Sequence, residues 1–525
     1  MLTSIEAKNF KGFRHPTKIN IRPITLLFGP NSAGKSTILD VLGYAWKLLS
    51  RSSDEANPLP GRNPDSFEKL VRGHDTSRTI SLSIAGSGDF DETDKHLLQL
   101  ADDELASSDA WEALLSDVHV ELQIEYDDDH PLGVIQNCVG QIAGHPFVKL
   151  EKSKKHQSDV FLRGDQLKAL ANTASNGTSS SILEAHLQNW LDTQSQSPGE
   201  WLHVGTLTGG QIPDWTSHLH DLEMRPFAPL LHYLVAAPFQ VIRRQISDVL
   251  HIGPLRQLPP RNYQPQSADS HSWHDGLAAW AKLFEETGGN TEPELLNHVN
   301  RWLSKDDLLD TGHEIAVDRW KLLPQQDAQL EEMANCTEAE LRDVLSKLDS
   351  HRRIQVRDLK RDVRVAPAEV GSGIAQLVPI VVAAMSTQFK NQLLCIEQPE
   401  LHVHPGLQTS IADLFLGARN RLDDRHFLVE THSEHLLLRL LKRIRQTMSG
   451  VVNEHPVPEK TIYSGDDAEE IRRHSQPRME PEDLAVYWVQ RDGDATVFER
   501  LHVNYNGDFE GGWPKGFFDE RMEEL

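Results

Sequence analysis

The chain has 525 residues, 38% of them hydrophobic and 25% charged, with a formal net charge of −25. That length suits about two to four domains with a sizeable core, and such acidity argues against non-specific nucleic-acid binding by the molecule as a whole. The sequence has no apolar run long enough for a bilayer, no leader-like stretch in "MLTSIEAKNFKGF", and three cysteines (Cys138, Cys336, Cys395) too scattered for a disulfide framework or a zinc ribbon, so a cytoplasmic protein without a membrane partner is expected.

The first informative element is "ITLLFGPNSAGKSTILDVL", residues 24–42. Ile24 to Phe28 is wholly apolar, as a buried parallel strand would be. It runs into Gly29-Pro30-Asn31-Ser32-Ala33-Gly34-Lys35-Ser36, a complete G-x-x-x-x-G-K-[ST] phosphate loop, followed by Thr37 and apolar residues at helical spacing. Gly29 and Gly34 let the backbone curl so that successive N–H groups face inward on an anion, and the helix start adds its positive dipole end. Lys35 is expected on the outer phosphates of ATP, and the Ser36 hydroxyl on Mg2+.

Residues 51–64 read as a polar linker, and 78–86 and 118–128 alternate as half-exposed antiparallel strands. Residues 172–181 have loop composition, 182–193 read as a helix, and 226–250 as a helix broken at its prolines. "LAAWAKLFEE", "ELLNHVNRWL" and "EAELRDVLSKL" are amphipathic and predict a helical lobe. "HRRIQVRDLKRDVR" (351–364) holds six Lys or Arg against two Asp, and "RLLKRIRQ" (439–446) is also basic. These are the two candidate nucleic-acid segments, and the plainer reading makes them a solvated strand edge and a solvated helix face.

Further on, "VGSGIAQLVPIVVAAM" (370–385) is a glycine turn leading into an apolar helix. "LLCIEQPELHVHP" (393–405) is a buried strand ending in Glu397 and Gln398, and "HFLVETHS" is a second strand leading to His432 and a helix with Leu437, Leu440 and Leu441 on one face. Asp492-Gly493 predicts a hairpin turn. No long heptad region and no solenoid repeat is visible.

Taken together, these motifs resemble the ABC-type ATPases of the Rad50, SMC, RecF and overcoming-lysogenization-defect (OLD) kind. "IEAKNFKGF" resembles their opening strand, "GSGIAQ" a degenerate signature, and "ETHS" their histidine switch. "HIGPLR" (251–256) and "WPKGFFDE" (513–520) resemble a bacterial branch near the OLD family whose members sit in anti-phage defence operons. The resemblance implies an α/β, ABC-type P-loop ATPase with a mixed sheet, an antiparallel β subdomain and a helical lobe. The expected divisions are an N-terminal ATPase lobe (1–135), an insertion (136–245), a helical lobe (246–365), a C-terminal ATPase lobe (366–450) and a tail (451–525). A Toprim nuclease is not expected: the stretch after residue 450 is too short, and Asp492 and Asp494 lack its upstream glutamate.

The resemblance also implies residue roles. Glu397 stands where the magnesium-coordinating acid belongs, His432 where a histidine senses the γ-phosphate, and Ser372 and Gly373 where the partner protomer's nucleotide is touched. That last role requires a homodimer sandwiching two ATP molecules, open to higher assembly. Gln398 stands at the usual catalytic glutamate, and an amide cannot take a proton from water. Either Glu400 or His432 replaces the base, or Gln398 orients the water and hydrolysis is slow. Otherwise the site clamps ATP without turning it over, or Glu397 is itself the base. Metal binding by His402, His404, His432 and His435 is not expected, since no ligand set completes it. The functions that follow are a slow ATPase gating a separate effector, a nuclease in a defence system; a non-hydrolysing clamp; or a repair ATPase gripping duplex DNA.

Overall fold

The computed structural model describes the chain apart from residues 51–56, 63, 89–115, 155–156, 168–200, 209–211, 214–227, 262, 264, 266–271, 289–292, 323–336, 349, 390–391, 423–424, 450–477 and 515–525. The loop expected at 172–181, the helix at 182–193, Cys336 and residues 515–520 lie outside the described residues.

In chain order, β1 (Leu2–Lys8), β2 (Thr17–Asn20) and β3 (Ile24–Phe28) precede α1 (Thr37–Leu49) and the short α2 (Phe67–Leu70). Then come β4 (Ile80–Gly86), β5 (Val118–Asp127), β6 (His130–Ile142), β7 (His145–Lys154), β8 (Gln157–Arg163), β9 (Trp201–Thr208), α3 (Ala228–Ser247) and β10 (Leu250–Ile252). The helical lobe holds α4 (Leu277–Glu286), α5 (Glu294–Ser304), β11 (His313–Lys321), α6 (Glu338–Lys347), β12 (Ser350–Asp358) and β13 (Val363–Val365). The chain ends with α7 (Ser372–Met385), β14 (Leu393–Glu397), α8 (Pro405–Arg421), β15 (His426–Glu430), α9 (Glu434–Met448), β16 (Leu484–Asp492) and β17 (Ala495–Leu501).

A six-stranded mixed sheet in the order β10-β14-β15-β3-β16-β17 is the centre of the molecule. Its first five strands are parallel and β17 returns antiparallel. Alternation along each strand divides its side chains between two cores. Leu27, Cys395, Leu428 and Tyr487 face the P-loop helix α1 and the antiparallel sheet. Ile24, Leu26, Phe28, Leu394, Ile396, Phe427 and Val429 face α7, α8, α9 and the indoles of Trp280 and Trp302. This is the α/β arrangement that the sequence predicts: mixed sheet, antiparallel β subdomain and helical lobe. No helix among the described residues is long and apolar enough to cross a membrane.

The antiparallel sheet has eight strands, β2-β1-β4-β5-β6-β7-β8-β9. β7, β8 and β9, read from the sequence as part of an insertion, extend this sheet edge to edge. Its inner face is covered by α3. The helix expected to break at its prolines instead runs through Pro238. Pro238 forgoes one backbone bond but packs on Gly140 of β6, where a Cβ would come within 2.8 Å of the proline ring. Gly493 and Asp494 make the predicted hairpin turn between β16 and β17, with Gly493 at φ 59°. Within the tail, β16 pairs in parallel with the P-loop strand itself.

Candidate functional site

The phosphate loop leaves β3 at Gly29 (φ 149°) and enters α1 after Gly34 (φ 103°). Both glycines are required twice over, by backbone angle and by packing. A Cβ at Gly29 would lie 2.0 Å from the Val489 carbonyl oxygen, and one at Gly34 2.8 Å from the Thr496 hydroxyl. The hairpin β16–β17 therefore buttresses the loop from behind, and Thr496 Oγ1 donates to the Ala33 carbonyl at 3.0 Å. Pro30, Asn31 and Ser32 form the exposed rim, while Ala33 and Thr37 are buried.

Lys35 is 3% exposed and its ammonium donates to the carbonyls of Gly29 and Pro30, each at 3.0 Å. Burial pulls its pKa below the ordinary value, against the opposing pull of Glu430 and Glu400. Ser36 begins α1 without capping it; its hydroxyl donates to Glu430 Oε2 at 2.6 Å. Glu430 Oε1 lies 3.8 Å from the Lys35 ammonium.

β15 separates the P-loop strand from β14, so Glu430 and Glu397 are paired in register at the same end of neighbouring strands. Burial pushes the Glu430 carboxyl upward, and the negative charge of Glu397 adds to the push despite the Ser36 bond. Glu397 goes the other way. Burial would raise it, but the hydrogen bond with His251 and the charge and hydrogen bonds of Arg62 outweigh that and hold it at about 2. Arg62 Nη2 reaches both Glu397 oxygens, at 2.6 and 2.7 Å, and His251 Nε2 lies 2.7 Å from Oε1.

Gln398 turns the chain with φ 45°, its N–H donating to the Glu430 carbonyl at 2.7 Å and its side chain half-buried. Glu400 reaches across to the segment after β15: it accepts from Thr431 Oγ1 at 2.8 Å and from the His432 N–H at 2.6 Å, and burial raises its pKa. His432 Nε2 is buried without a hydrogen-bond partner among the described residues, and burial, reinforced by Lys35, lowers its pKa, favouring a neutral ring. Ser372 is exposed at the first residue of α7, and Gly373 lies against the 398–404 loop, with a Cβ there 2.9 Å from the His402 carbonyl.

The structure thus brings Lys35, Ser36, Glu397, Gln398, Glu400 and His432 to one end of the parallel strands, while Gly373, next to Ser372, packs on the His402 carbonyl of the 398–404 loop. Sequence reasoning missed Glu430, Arg62, His251, Arg256 and Thr496. Glu430 carried a readable signal, an acid ending an apolar strand as Glu397 does. Arg62 was hidden in a segment that reads as polar linker. Arg256, 4% exposed, donates through Nη2 to the Glu397 carbonyl at 2.6 Å and packs against Gln376 of α7, whose amide donates back to the Arg256 carbonyl at 2.9 Å. Nothing in local sequence announces that tie between the acid strand and the helix behind the glycine turn.

The basic segments turn out to be largely paired. Arg353 and Arg364 share Asp318, Arg357 meets Asp362, and Arg352 donates to the Phe284 carbonyl. On α9, Arg439 and Arg443 both meet Asp413, and Arg445 meets Asp508.

Comparison with known proteins agrees with the P-loop reading. The family model described as AAA ATPase domain matches residues 1–185 and 294–437, more than half of the chain. A second model, described only as a protein of unknown function, matches 479–525, the segment that supplies the buttressing hairpin. The chromosome partition protein Smc of Halothermothrix orenii is 36% identical over 90 residues, 17% of this chain and 6% of that protein, so the chain spans only a small part of this relative. Among solved structures, the SMC head domain from Thermotoga maritima aligns over 96% of this chain and 99% of its own at 10% identity and a TM-score of 0.36. An Smc head domain with an extended coiled coil, bound to the C-terminal domain of ScpA derived from Pyrococcus furiosus, aligns over 95% and 96% at 9% identity and a TM-score of 0.38. Scores this low establish no correspondence between individual elements. On its own P-loop, and on a family match that covers both lobes around it, the chain belongs to the AAA ATPase domain family.

Proposed function

We propose that this protein binds ATP with Mg2+, hydrolyses it slowly, and dimerises on the nucleotide to gate or scaffold a separate effector. The observation that carries the reading is the convergence of the Lys35 ammonium, the Ser36–Glu430 hydrogen bond and the Glu397 carboxylate at the same ends of β3, β15 and β14. A triphosphate on the loop would draw Lys35 off the two carbonyls it now satisfies. The Ser36 hydroxyl with Glu430 and Glu397 is a set of hard oxygen donors of the kind magnesium takes. Those residues would hold magnesium, which would supply charge neutralisation at the phosphates. His432, with Nε2 unpaired and a neutral ring favoured by burial, would donate to the γ-phosphate. Glu400 holds its backbone, which makes Glu400 a positioning residue rather than a base.

Slow turnover follows from Gln398, which can orient water but cannot deprotonate it; a missing base costs about 10²–10⁴-fold. A non-hydrolysing ATP clamp is the second reading, favoured by the engagement of Glu400 with the switch loop, which leaves no free carboxylate in that loop. The nucleotide sandwich requires Ser372 and Gly373 to reach the partner's ATP, and the exposure of Ser372 at the start of α7 supports that reading. The effector, a nuclease of an anti-phage defence system, rests on the family resemblance. Direct DNA binding is less favoured because the arginines of 351–364 are engaged internally.

Lys35→Ala tests the assignment: ATP affinity by calorimetry is expected to fall below detection. Unchanged ATP binding by that variant would overturn it. Phosphate release above the Lys35→Ala background separates the slow ATPase from the clamp.

A further inference from the structure

β14 has two flanks. On one, β15 brings Glu430 and the P-loop to Glu397; on the other, β10 brings His251. The nucleotide reading uses only the first flank. On the second, His251, His274 and Glu397 each offer a donor atom, and the three atoms lie within 4.8 Å of one another. The imidazole rings stand 4.6 Å apart at 44°. We propose that this flank is a second cation site, built from His251, His274 and Glu397, that takes a first-row transition dication such as Zn2+, Mn2+ or Co2+.

Two independent observations point to a ligand. The first is unpaired nitrogen. The His251 side chain is fully buried with Nε2 turned to Glu397, and Nδ1 of His274 is buried without a hydrogen-bond partner among the described residues. A buried polar atom without a partner costs ~1–3 kcal/mol, and a metal can take the lone pair of a neutral ring. The second is a stand-in cation. Arg62 places one nitrogen, Nη2, between both Glu397 oxygens at 2.6 and 2.7 Å, as a bound cation would sit. Arg62 also holds Asp40 at 3.3 Å, so it can release Glu397 and keep a partner.

The donor set decides the metal. Two imidazoles with one carboxylate is a zinc-type triad that leaves a position open to water or phosphate, and nitrogen donors favour transition ions over magnesium. Cis ligands on such an ion sit about 3–3.5 Å apart at bond lengths near 2.1 Å, so the His251–Glu397 pair at 2.7 Å would open slightly while the other separations, none above 4.8 Å, would contract. Close approach is already built in: a Cβ at Gly253 would lie 2.4 Å from the His274 ring, leaving space only for glycine behind it. Glu397 would then bridge the two flanks, one oxygen toward each.

The test is a Co2+ titration of the nucleotide-free full chain, followed by visible d–d absorption. Nucleotide is absent, so failure here would leave the ATP assignment standing. The expected result is one Co2+ per chain with no sulfur-to-cobalt band. His274→Ala, at a half-buried position, should weaken binding at least about tenfold. Arg62→Ala, which removes the competing cation, should tighten it by a similar factor. Absence of stoichiometric Co2+ in both wild type and Arg62→Ala would overturn the proposal, as would Co2+ binding indifferent to His274→Ala.

Discussion

Glu397 and Glu430 end adjacent strands in register, yet one carboxyl is held at about 2 and the other is pushed up. The difference is the company each keeps: Glu397 has Arg62 and His251, while Glu430 has a hydroxyl and a more distant ammonium. A carboxylate held below its ordinary 4.5 stabilises the fold above that value and loses the contribution as pH falls toward about 2. Arg62→Ala removes much of the downward pull. The stability gap between wild type and Arg62→Ala is therefore expected to be widest above about pH 4.5 and to close on acidification, as urea unfolding in the presence of a chelator would measure. A gap that widens on acidification would contradict the ion-pair account. At Gln398 the backbone already carries the φ of 45° and the bond to Glu430. Gln398→Glu changes only an amide to a carboxylate there, and is expected to raise the phosphate-release rate by about 10²-fold or more if only the base is missing.

The elements around the site are tied down by buried polar groups rather than by apolar packing alone. Arg425, with no exposed surface, donates to the carbonyls of Ala383, Ala384 and Ser386 and so closes the C-terminal end of α7. Burial lowers its pKa to about 10, still charged at neutral pH. Arg425→Met leaves those carbonyls unpaired in the core and is expected to cost about 3 kcal/mol, read by thermal unfolding. The hairpin β16–β17 plays the corresponding part for the phosphate loop through Thr496 and Val489. It makes the matched segment of unknown function a structural component of the nucleotide site.

Across the whole molecule, the glycine turn before α7 packs on the His402 carbonyl of the 398–404 loop, and Arg256 with Gln376 links α7 to β14. That arrangement couples the surface a partner would meet to the strand that carries Glu397. Ser372→Arg, at an exposed helix start, should leave the fold and ATP affinity of the monomer unchanged while abolishing ATP-dependent dimers in light scattering. Dimers of undiminished stability would place the protomer contact elsewhere.

Much of this was legible before any coordinates. The strand–loop–helix run at 24–42, the acid at Glu397, the strand that leads to His432 and the hairpin turn at Asp492-Gly493 are local patterns, set by backbone geometry and hydrophobic period within a few residues. What could not be read locally was which distant groups meet. That β16 joins the P-loop strand across more than 400 residues of sequence, that Glu430 rather than Glu397 receives the Ser36 hydroxyl, and that Arg62 and His251 converge on Glu397 depend on strand order. Strand order is settled by burying both faces of one sheet at once, a property of the assembled cores that no short window of sequence contains.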